Sequence, residues 1–262
     1  MLNFCSLYSG SSGNSLLVQS NQTNLLIDCG VSSKKIENAL NTLDINPHSI
    51  NGILITHEHS DHIQGLGVFA KKYNIPIYIN PKTLNAITKQ KDKIETCIIK
   101  KCDVDDHFEI NYLNIKSFKI PHDAVNPCGF TINNNDKTIG IATDIGHITN
   151  NIMKELEPCD FILLESNYDP EVLKCSSYPY YLKQRIAGPT GHLSNEMAGK
   201  TISYLLKNNL KKASLGHLSK ENNFPELAYK SVIEELINNN YNENSLQLSV
   251  ANRDKPSKFI QI

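Results

Sequence analysis

Within THEHSDH, residues 56–62, stand His57, Glu58, His59, Asp61 and His62. Such a cluster gains nothing from a hydrophobic core. Crowded imidazoles and carboxylates cost desolvation energy unless something pairs with them. A metal ion is the natural partner, because neutral imidazole and carboxylate are its commonest nitrogen and oxygen ligands. The run is not the metalloprotease H-E-x-x-H, since Asp61 stands where the second His should be. The usable pattern is H-x-H-x-D-H. At a strand end His57 and His59 point the same way, two residues apart, while Asp61 and His62 turn toward a neighbouring position. One run then serves two adjacent metals, which a helical i, i+4 pair does not. By the same alternation Glu58 faces outward or packs structurally.

The flanking residues supply the elements that hold this run. GILIT (52–56) reads as a buried strand with the cluster at its C-terminal end, followed by a helix over 63–73 and the strand PIYIN. Upstream, FCSLY, SLLVQS and NLLID read as three strands divided by a Gly-Ser turn and an Asn-rich turn. SSKKIENALNTL reads as a helix: Ser32 or Ser33 caps it, and Ile36, Leu40 and Leu43 recur at helical spacing. Further strands are predicted at 112–120, 129–133, 137–142 and 160–165, with ASLGHLS and LQLSVAN as late strands. Helices are predicted near 148–157, 178–187, 194–208 and 225–238, and the Asn runs INNND and INNNY read as loops. Strands come in runs as well as in alternation with helices. That favours two packed sheets with helices outside over one doubly wound sheet.

The totals narrow the function classes. The chain has 262 residues, 40% of them hydrophobic, enough apolar mass for a real core. A formal net charge of −1 excludes a protein that coats nucleic acid through bulk charge, so an anionic substrate must be drawn in by a local site. The seven cysteines include no C-x-x-C pair, which disfavours a disulfide framework or zinc ribbon and fits a reducing cytoplasm. No signal peptide is expected, because MLNFCSLYSG lacks a basic and then apolar start. No apolar run approaches the ~18 residues that span a bilayer.

The H-x-H-x-D-H run resembles the metallo-β-lactamase superfamily, and the rest of the chain extends the resemblance in order. Asp28 in LLIDCG matches the superfamily's early structural Asp. His122 in KIPHDA matches its third ligand His, Asp144 in GIATDIG its bridging Asp, and His217 in LGHLSKENN its late ligand His. The resemblance implies an α/β (α+β) fold: one domain over 1–262, a four-layer αββα sandwich of two mixed β-sheets with helices on the outer faces. It implies two divalent metal ions, zinc or manganese, with iron also accepted. His57, His59 and His122 would hold one, Asp61, His62 and His217 the other, with Asp144 bridging and Asp28 supporting the ligands from behind. Two divalent ions, two carboxylates and a bridging hydroxide leave the site at about +1, enough to attract an anion.

Closer echoes come from the phosphodiesterase branch. FILLESNYD resembles the HEAT strand end of tRNase Z, with Glu165 on its Glu and Leu164 in place of its His. GHLSNEMAG resembles that family's helix start, with His192 on its His. Only 48 positions separate Asp144 from His192, too few for a β-CASP domain. SGSSGNS, LLIDCG, ATDIG, ESNYD, YPYYLKQRI and GHLSKENN are similar to the small bacterial YycJ/VicX (WalJ) family. This resemblance implies a cytoplasmic, metal-dependent phosphodiesterase, a 5′→3′ exonuclease on DNA rather than RNA, with a link to DNA repair. A metal-bridging hydroxide, held at Asp61 and its fellow ligands, would attack phosphorus. His192, oriented by Glu165, would protonate the leaving sugar oxygen. The same ligand set also serves a small-molecule hydrolase of a cyclic phosphodiester, thioester or lactone, or an RNA-processing nuclease. The non-enzyme alternative is a metal-stabilised binding module.

Candidate substrate contacts lie in three places. YSGSSGNS either cradles a phosphate through backbone N–H groups, with Ser11, Ser12 and Asn14 in contact, or forms a glycine hairpin. YPYYLKQR sets Tyr178 near Lys183 and Arg185, a pattern suited to base stacking and phosphate contact or to an amphipathic helix face. Asn167, Ser219 and Asn222, in ESNYD and GHLSKENN, are implied as contacts by the family resemblance. No oligomeric state follows from the sequence.

Overall fold

The computed structural model describes residues 1–208, 210–242 and 244–262. Strands β1 (Leu2–Tyr8), β2 (Ser15–Ser20) and β3 (Asn24–Ile27) form consecutive antiparallel pairs. Helix α1 (Ser33–Thr42) crosses over to β4 (Ile50–Leu54), which runs parallel to β3. Then come α2 (Ser60–Ile63), α3 (Leu66–Tyr73), β5 (Ile77–Ile79), α4 (Pro81–Ala86), α5 (Lys91–Ile94) and β6 (Ile99–Lys101). A second antiparallel run follows: β7 (His107–Ile110), β8 (Leu113–Lys119), β9 (Cys128–Asn133) and β10 (Thr138–Ala142). The remainder is α6 (Asn150–Leu156), β11 (Phe161–Glu165), α7 (Pro170–Cys175), α8 (Tyr180–Ile186), α9 (Asn195–Leu205), β12 (Lys212–Gly216), α10 (Pro225–Asn238), β13 (Gln247–Val250) and β14 (Ile260–Gln261).

The strands assemble into two seven-stranded mixed sheets, ordered β14-β1-β2-β3-β4-β5-β6 and β13-β12-β11-β10-β9-β8-β7. Alternation along each strand explains the layers. Leu16, Val18, Leu25 and Ile27 face Ile139, Ile141, Phe161 and Leu163 across the space between the sheets. Leu17 and Leu26 face the other way, onto Ile36 and Leu40 of α1 and Phe69 of α3. Ile162 and Leu164 likewise face outward, onto Ile152 of α6, Ile202 of α9 and Val232 of α10. Central strands are therefore covered on both faces and read as unbroken apolar runs. The four-layer αββα arrangement follows.

Two local expectations are corrected. The helix predicted over 63–73 is two helices, and the first begins at Ser60, so Asp61 and His62 ride on a helical turn. The break has a packing cause at Gly65. Its N–H donates to Cys29 O at 2.8 Å, and a Cβ there would lie 2.2 Å from Val31 O. The Asn runs are only partly loop, since Ile132 and Asn133 close β9 and Ile237 and Asn238 close α10.

The loop after β3 is pinned between two other segments. Asn14 N donates to Asp61 O at 2.8 Å, Gly30 N to Asn14 O at 2.7 Å, and Cys29 N to His62 O at 2.8 Å. This approach leaves no room for a side chain at residue 30: a Cβ on Gly30 would stand 1.7 Å from Asp61 O. Gly30→Ala should therefore lower stability by at least about 1–3 kcal/mol, the usual cost of overpacking. Urea unfolding measures it, and an unchanged midpoint would contradict this account.

Candidate metal centre

The strands β3, β4, β10, β11 and β12 end at one edge of the sandwich, and Asp28, Thr56, Asp144, Glu165 and His217 stand at or just beyond those ends. Ligand sites of open α/β sheets favour this edge, because loops there diverge from fixed strand ends. Asp28, Asp144 and His217 all adopt left-handed backbone conformations, with φ of 62°, 59° and 55°. Each such residue costs about 1–2 kcal/mol. The turn sends the side chain back over the strand ends, and local bonds hold it: Asp28 N to Leu54 O at 2.9 Å, His217 N to Ser9 Oγ at 2.8 Å.

Hydrogen bonds at the outer ring nitrogens decide which atoms face inward. Thr56 Oγ1 donates its one proton to Asp28 Oδ2 at 2.8 Å, so it accepts from His57 Nδ1 at 2.9 Å. His62 Nδ1 donates to the same Asp28 oxygen at 2.7 Å. His122 Nδ1 donates to Gly191 O at 3.1 Å and His217 Nδ1 to Glu165 Oε1 at 2.8 Å. Each of these four imidazoles therefore turns Nε2 inward, the nitrogen that can ligate once it carries no proton. His59 is reversed: its Nδ1 lies 3.3 Å from His122 Nε2.

The inward atoms form compact sets. His57, His59 and His122 make one; Asp61, His62 and His217 make another; His57, His62 and Asp144 join them, all with ligand atoms within 4.8 Å. Asp144 lies between, with Oδ1 3.5 Å from His217 Nε2 and 3.7 Å from His122 Nε2, and Oδ2 3.2 Å from His62 Nε2. Despite these distances His57 Nε2, His217 Nε2 and Asp144 Oδ2 are buried without a hydrogen-bond partner. An unsatisfied buried polar atom costs about 1–3 kcal/mol. Three of them within one cluster, around Asp144, fit divalent metal, which takes nitrogen and oxygen lone pairs together. A fourth compact set, Asp144, Glu165, His192 and His217, is drawn together by ordinary hydrogen bonds to Glu165 Oε1, 2.8 Å from both His192 Nδ1 and His217 Nδ1.

Electrostatics favour protons on two of these groups, His217 and His62. Burial opposes a charged His217, yet Asp144, Asp61 and Glu165 together push it up to about 10. Burial also opposes a charged His62, and Asp144, Asp28 and Asp61 overcome it, raising the group well above its ordinary value. Asp144 is driven well below the carboxylate range: burial opposes this, and His217 and His62 outweigh it. His57 is held low, first by burial and then by the neighbouring His62.

Residues 23–214 match the model of the β-lactamase superfamily domain. Over 232 residues the chain is 40% identical to the exodeoxyribonuclease WalJ of Streptococcus pneumoniae (strain D39), covering 88% of this chain and 86% of that protein. It is 37% identical to the exodeoxyribonuclease YycJ of Bacillus anthracis, covering 90% of this chain and 89% of that protein. The chain belongs to the WalJ/YycJ family of the β-lactamase superfamily. Its backbone superposes on the metallo-β-lactamase fold protein YhfI from Bacillus subtilis with a TM-score of 0.71 at 17% identity, covering 98% of both chains. Among the described residues no helix is long and apolar enough to cross a membrane.

In this WalJ/YycJ chain Glu165 is sealed from solvent. Its Oε2 accepts from Ile145 N at 2.6 Å and Leu193 N at 3.1 Å, while Oε1 holds His192 and His217. Burial disfavours its charge, but the two imidazoles keep it below the ordinary value. Glu165 touches the two imidazoles and backbone N–H groups, so it holds His217 as well as the His192 it was expected to orient. His192 has 21% of its side chain exposed, and Asp61 has 26%, with Oδ2 3.6 Å from both His62 Nε2 and His217 Nε2.

Several expected substrate contacts are used by the protein itself. Asn167 is buried and gives its amide to His217 O at 2.8 Å. Ser219 and Asn222 are buried, with Ser219 Oγ accepting from Asn222 N at 3.2 Å. Lys183 donates to Lys174 O at 2.7 Å. These four residues order loops. Asn14 is buried, its Oδ1 accepts from Gly10 N and its Nδ2 lies 3.1 Å from His62 Nε2, so SGSSGNS is a hairpin turn with Ser11 and Ser12 exposed at its tip. Tyr178 is half-buried, and Arg185 is exposed with Nε on Asp123 Oδ2 at 2.6 Å. Sequence reasoning missed Thr56 and Asp123. Asp123 Oδ1 lies 3.4 Å from His122 Nε2. Glu58 accepts from Val125 N at 2.7 Å and so pins the loop carrying His122.

Asp28→Asn would turn an amide N–H toward donors that now share a carboxylate. Zinc affinity should fall by about 10–100-fold, the usual worth of such supporting bonds. Chelator competition measures it, and wild-type affinity in the variant would remove Asp28 from that role. Because His62 and His217 are raised, metal must displace protons from them, so apparent zinc affinity should climb as pH rises from 6 toward 9. A flat profile would contradict the proton assignment.

Proposed function

We propose that this chain is a two-metal phosphodiesterase that removes nucleotides stepwise from the 5′ end of DNA. The observation that carries the chemistry is His192. It stands beside the cluster, its ring 5.2 Å from that of His122 and 5.3 Å from that of His217, with Nδ1 committed to Glu165. Nε2 is the nitrogen left to hand a proton to a leaving oxygen. DNA as substrate is supported by relatives named exodeoxyribonucleases that this chain matches over most of their length. The 5′→3′ direction rests on the family resemblance. Seven free cysteines support a reducing, cytoplasmic setting.

His57, His59 and His122 would hold one divalent ion, Asp61, His62 and His217 the other, with Asp144 between them; zinc suits five imidazoles, and manganese or iron suits the same set. Bound metal supplies a water ionised near neutral pH and positive charge for the phosphoryl oxygens. Glu165 accepts the Nδ1 proton of His192, and against the opposing effect of burial its charge favours the imidazolium, the form that also carries a proton at Nε2. Arg185, tethered by Asp123 next to His122 and His59, stands where it can meet a phosphate of the strand. Tyr180 and Tyr181 of α8 are exposed, a surface on which bases can stack at about 1–3 kcal/mol each.

Metal analysis after mild purification should approach two equivalents per chain, and zero under saturating zinc and manganese would end the proposal. End-labelled linear DNA should shorten from the 5′ end in the metal-loaded protein, while circular single-stranded DNA should resist. Equal rates on the two would rule out an end requirement. His192→Ala should retain both metals and slow cleavage by about 10²–10⁴-fold. Loss of a metal in that variant would instead make His192 a ligand.

A further inference from the structure

A second polar site adjoins the metal centre on the side of His217. The chain after His217 turns through 218–224 into α10 and packs against 251–253, enclosing a cavity of about 270 Å³. Ser9, Lys220, Asn223, Phe224, Asn252 and Arg253 line it, and no carboxylate does so among the described residues. Ser9 accepts the N–H of His217, and Arg253 Nη2 donates to Leu218 O at 2.7 Å. The cavity wall is therefore continuous with the metal-centre wall.

Arg253 is underused by the protein. Of its five N–H donors one is assigned, to Leu218 O; Nη1 is buried against the hairpin without a partner, which leaves Nε and the second Nη2 hydrogen for a ligand, and no ion pair engages the guanidinium among the described residues. The site hairpin lies against this side chain at Gly10, where a Cβ would come within 2.7 Å of Nη1 and where φ is 151°. A guanidinium held without a counter-charge favours an anion nearby. Lys220 adds a second, exposed cation at the rim. The N-terminus of the 14-residue α10 opens on the same cavity through Phe224 and Pro225 and has no side-chain cap, so its first-turn N–H groups and dipole also favour negative charge. Phe224 is 51% exposed at the mouth, an aromatic face beside the cations.

We propose that this cavity is a phosphate subsite for the nucleic-acid strand, binding a phosphate next to the one at the metal centre, with Arg253, Lys220 and the start of α10 as its receptor and Phe224 as a stacking surface for the adjoining base. It rests on the phosphodiesterase reading and extends it. The chemistry is shared by a terminal phosphate monoester and an internal phosphodiester.

The test is equilibrium binding of 3′-labelled single-stranded oligodeoxynucleotides with phosphorothioate linkages to the metal-loaded protein, with a 5′-phosphate or a 5′-hydroxyl, across a salt series. Arg253→Gln with Lys220→Gln should weaken binding about tenfold or more and flatten the salt dependence by about 0.7 in slope per lost contact. Phe224→Ala should weaken binding without changing that slope. A loss confined to the 5′-phosphorylated strand identifies the terminal phosphate; an equal loss on both identifies an internal one. Arg253→Lys should recover part of the affinity. Lys220 is exposed, so Lys220→Gln alone reports the subsite if the double variant does not fold. Wild-type affinity and slope in folded variants, with the wild-type protein degrading unmodified DNA, would overturn the subsite alone. A metal-loaded wild type that neither binds nor degrades any oligonucleotide would overturn the proposed function, and this subsite with it.

Discussion

A charged carboxylate with no exposed surface holds the second sheet's half of the centre together. Glu165 takes two imidazoles on one oxygen and two backbone N–H groups on the other, drawing to one point the ends of β11 and β12, the turn after β10 and the entry to α9. Burying that charge costs several kcal/mol unless it is paired and hydrogen-bonded, and four donors offset the loss. The first sheet repeats the device. Asp28, also buried, takes Thr56 N, Thr56 Oγ1 and His62 Nδ1, and through Thr56 it reaches His57. Each sheet thus supplies one buried acid at a strand end that aims a pair of imidazoles, and the two pairs meet across the edge where the sheets join.

The arrangement trades stability for geometry. Three residues of the centre sit in left-handed conformations, and three inward atoms lack hydrogen-bond partners. Strain and unsatisfied atoms gather at functional sites when the surrounding structure over-determines them. Here three separate apolar layers do so, one between the sheets and one under each set of helices. Glycines at 30 and 65 then let the loop after β3 lie directly on the backbone of α2 and its end, which fixes Asp61 and His62 relative to Asp28.

A net charge of −1 gives little long-range attraction for a polyanion. Recognition has to be local, and the free cationic groups around the centre are few. Arg185 is tied to Asp123, Lys183 to a helix carbonyl, and Arg253 to Leu218 O without a counter-charge. Lys183 thus orders a loop, whereas Arg185 and Arg253 each keep donors for a ligand.

The sequence by itself determined what is local in chemistry or period. Metal ligation needs particular residue types at close spacing, so H-x-H-x-D-H announces itself, and the ordered Asp and His residues follow by family pattern. Apolar runs and a capping Ser32 likewise announced most central strands and α1. Asn80 and Asp169, each before a proline, are equally plain local start signals for α4 and α7. Strands of two to four residues such as β6, β7 and β14 have too few positions for a period to show. Only the tertiary structure decided that Glu165 serves His217 as well as His192, that Thr56 relays Asp28 to His57, and that Asn167, Ser219 and Asn222 are sealed within the protein. Those roles depend on partners far away in the chain, 52 positions in the case of Glu165 and His217. A residue's type limits which bonds it can make, but which of them it makes depends on what the fold brings within about 3 Å.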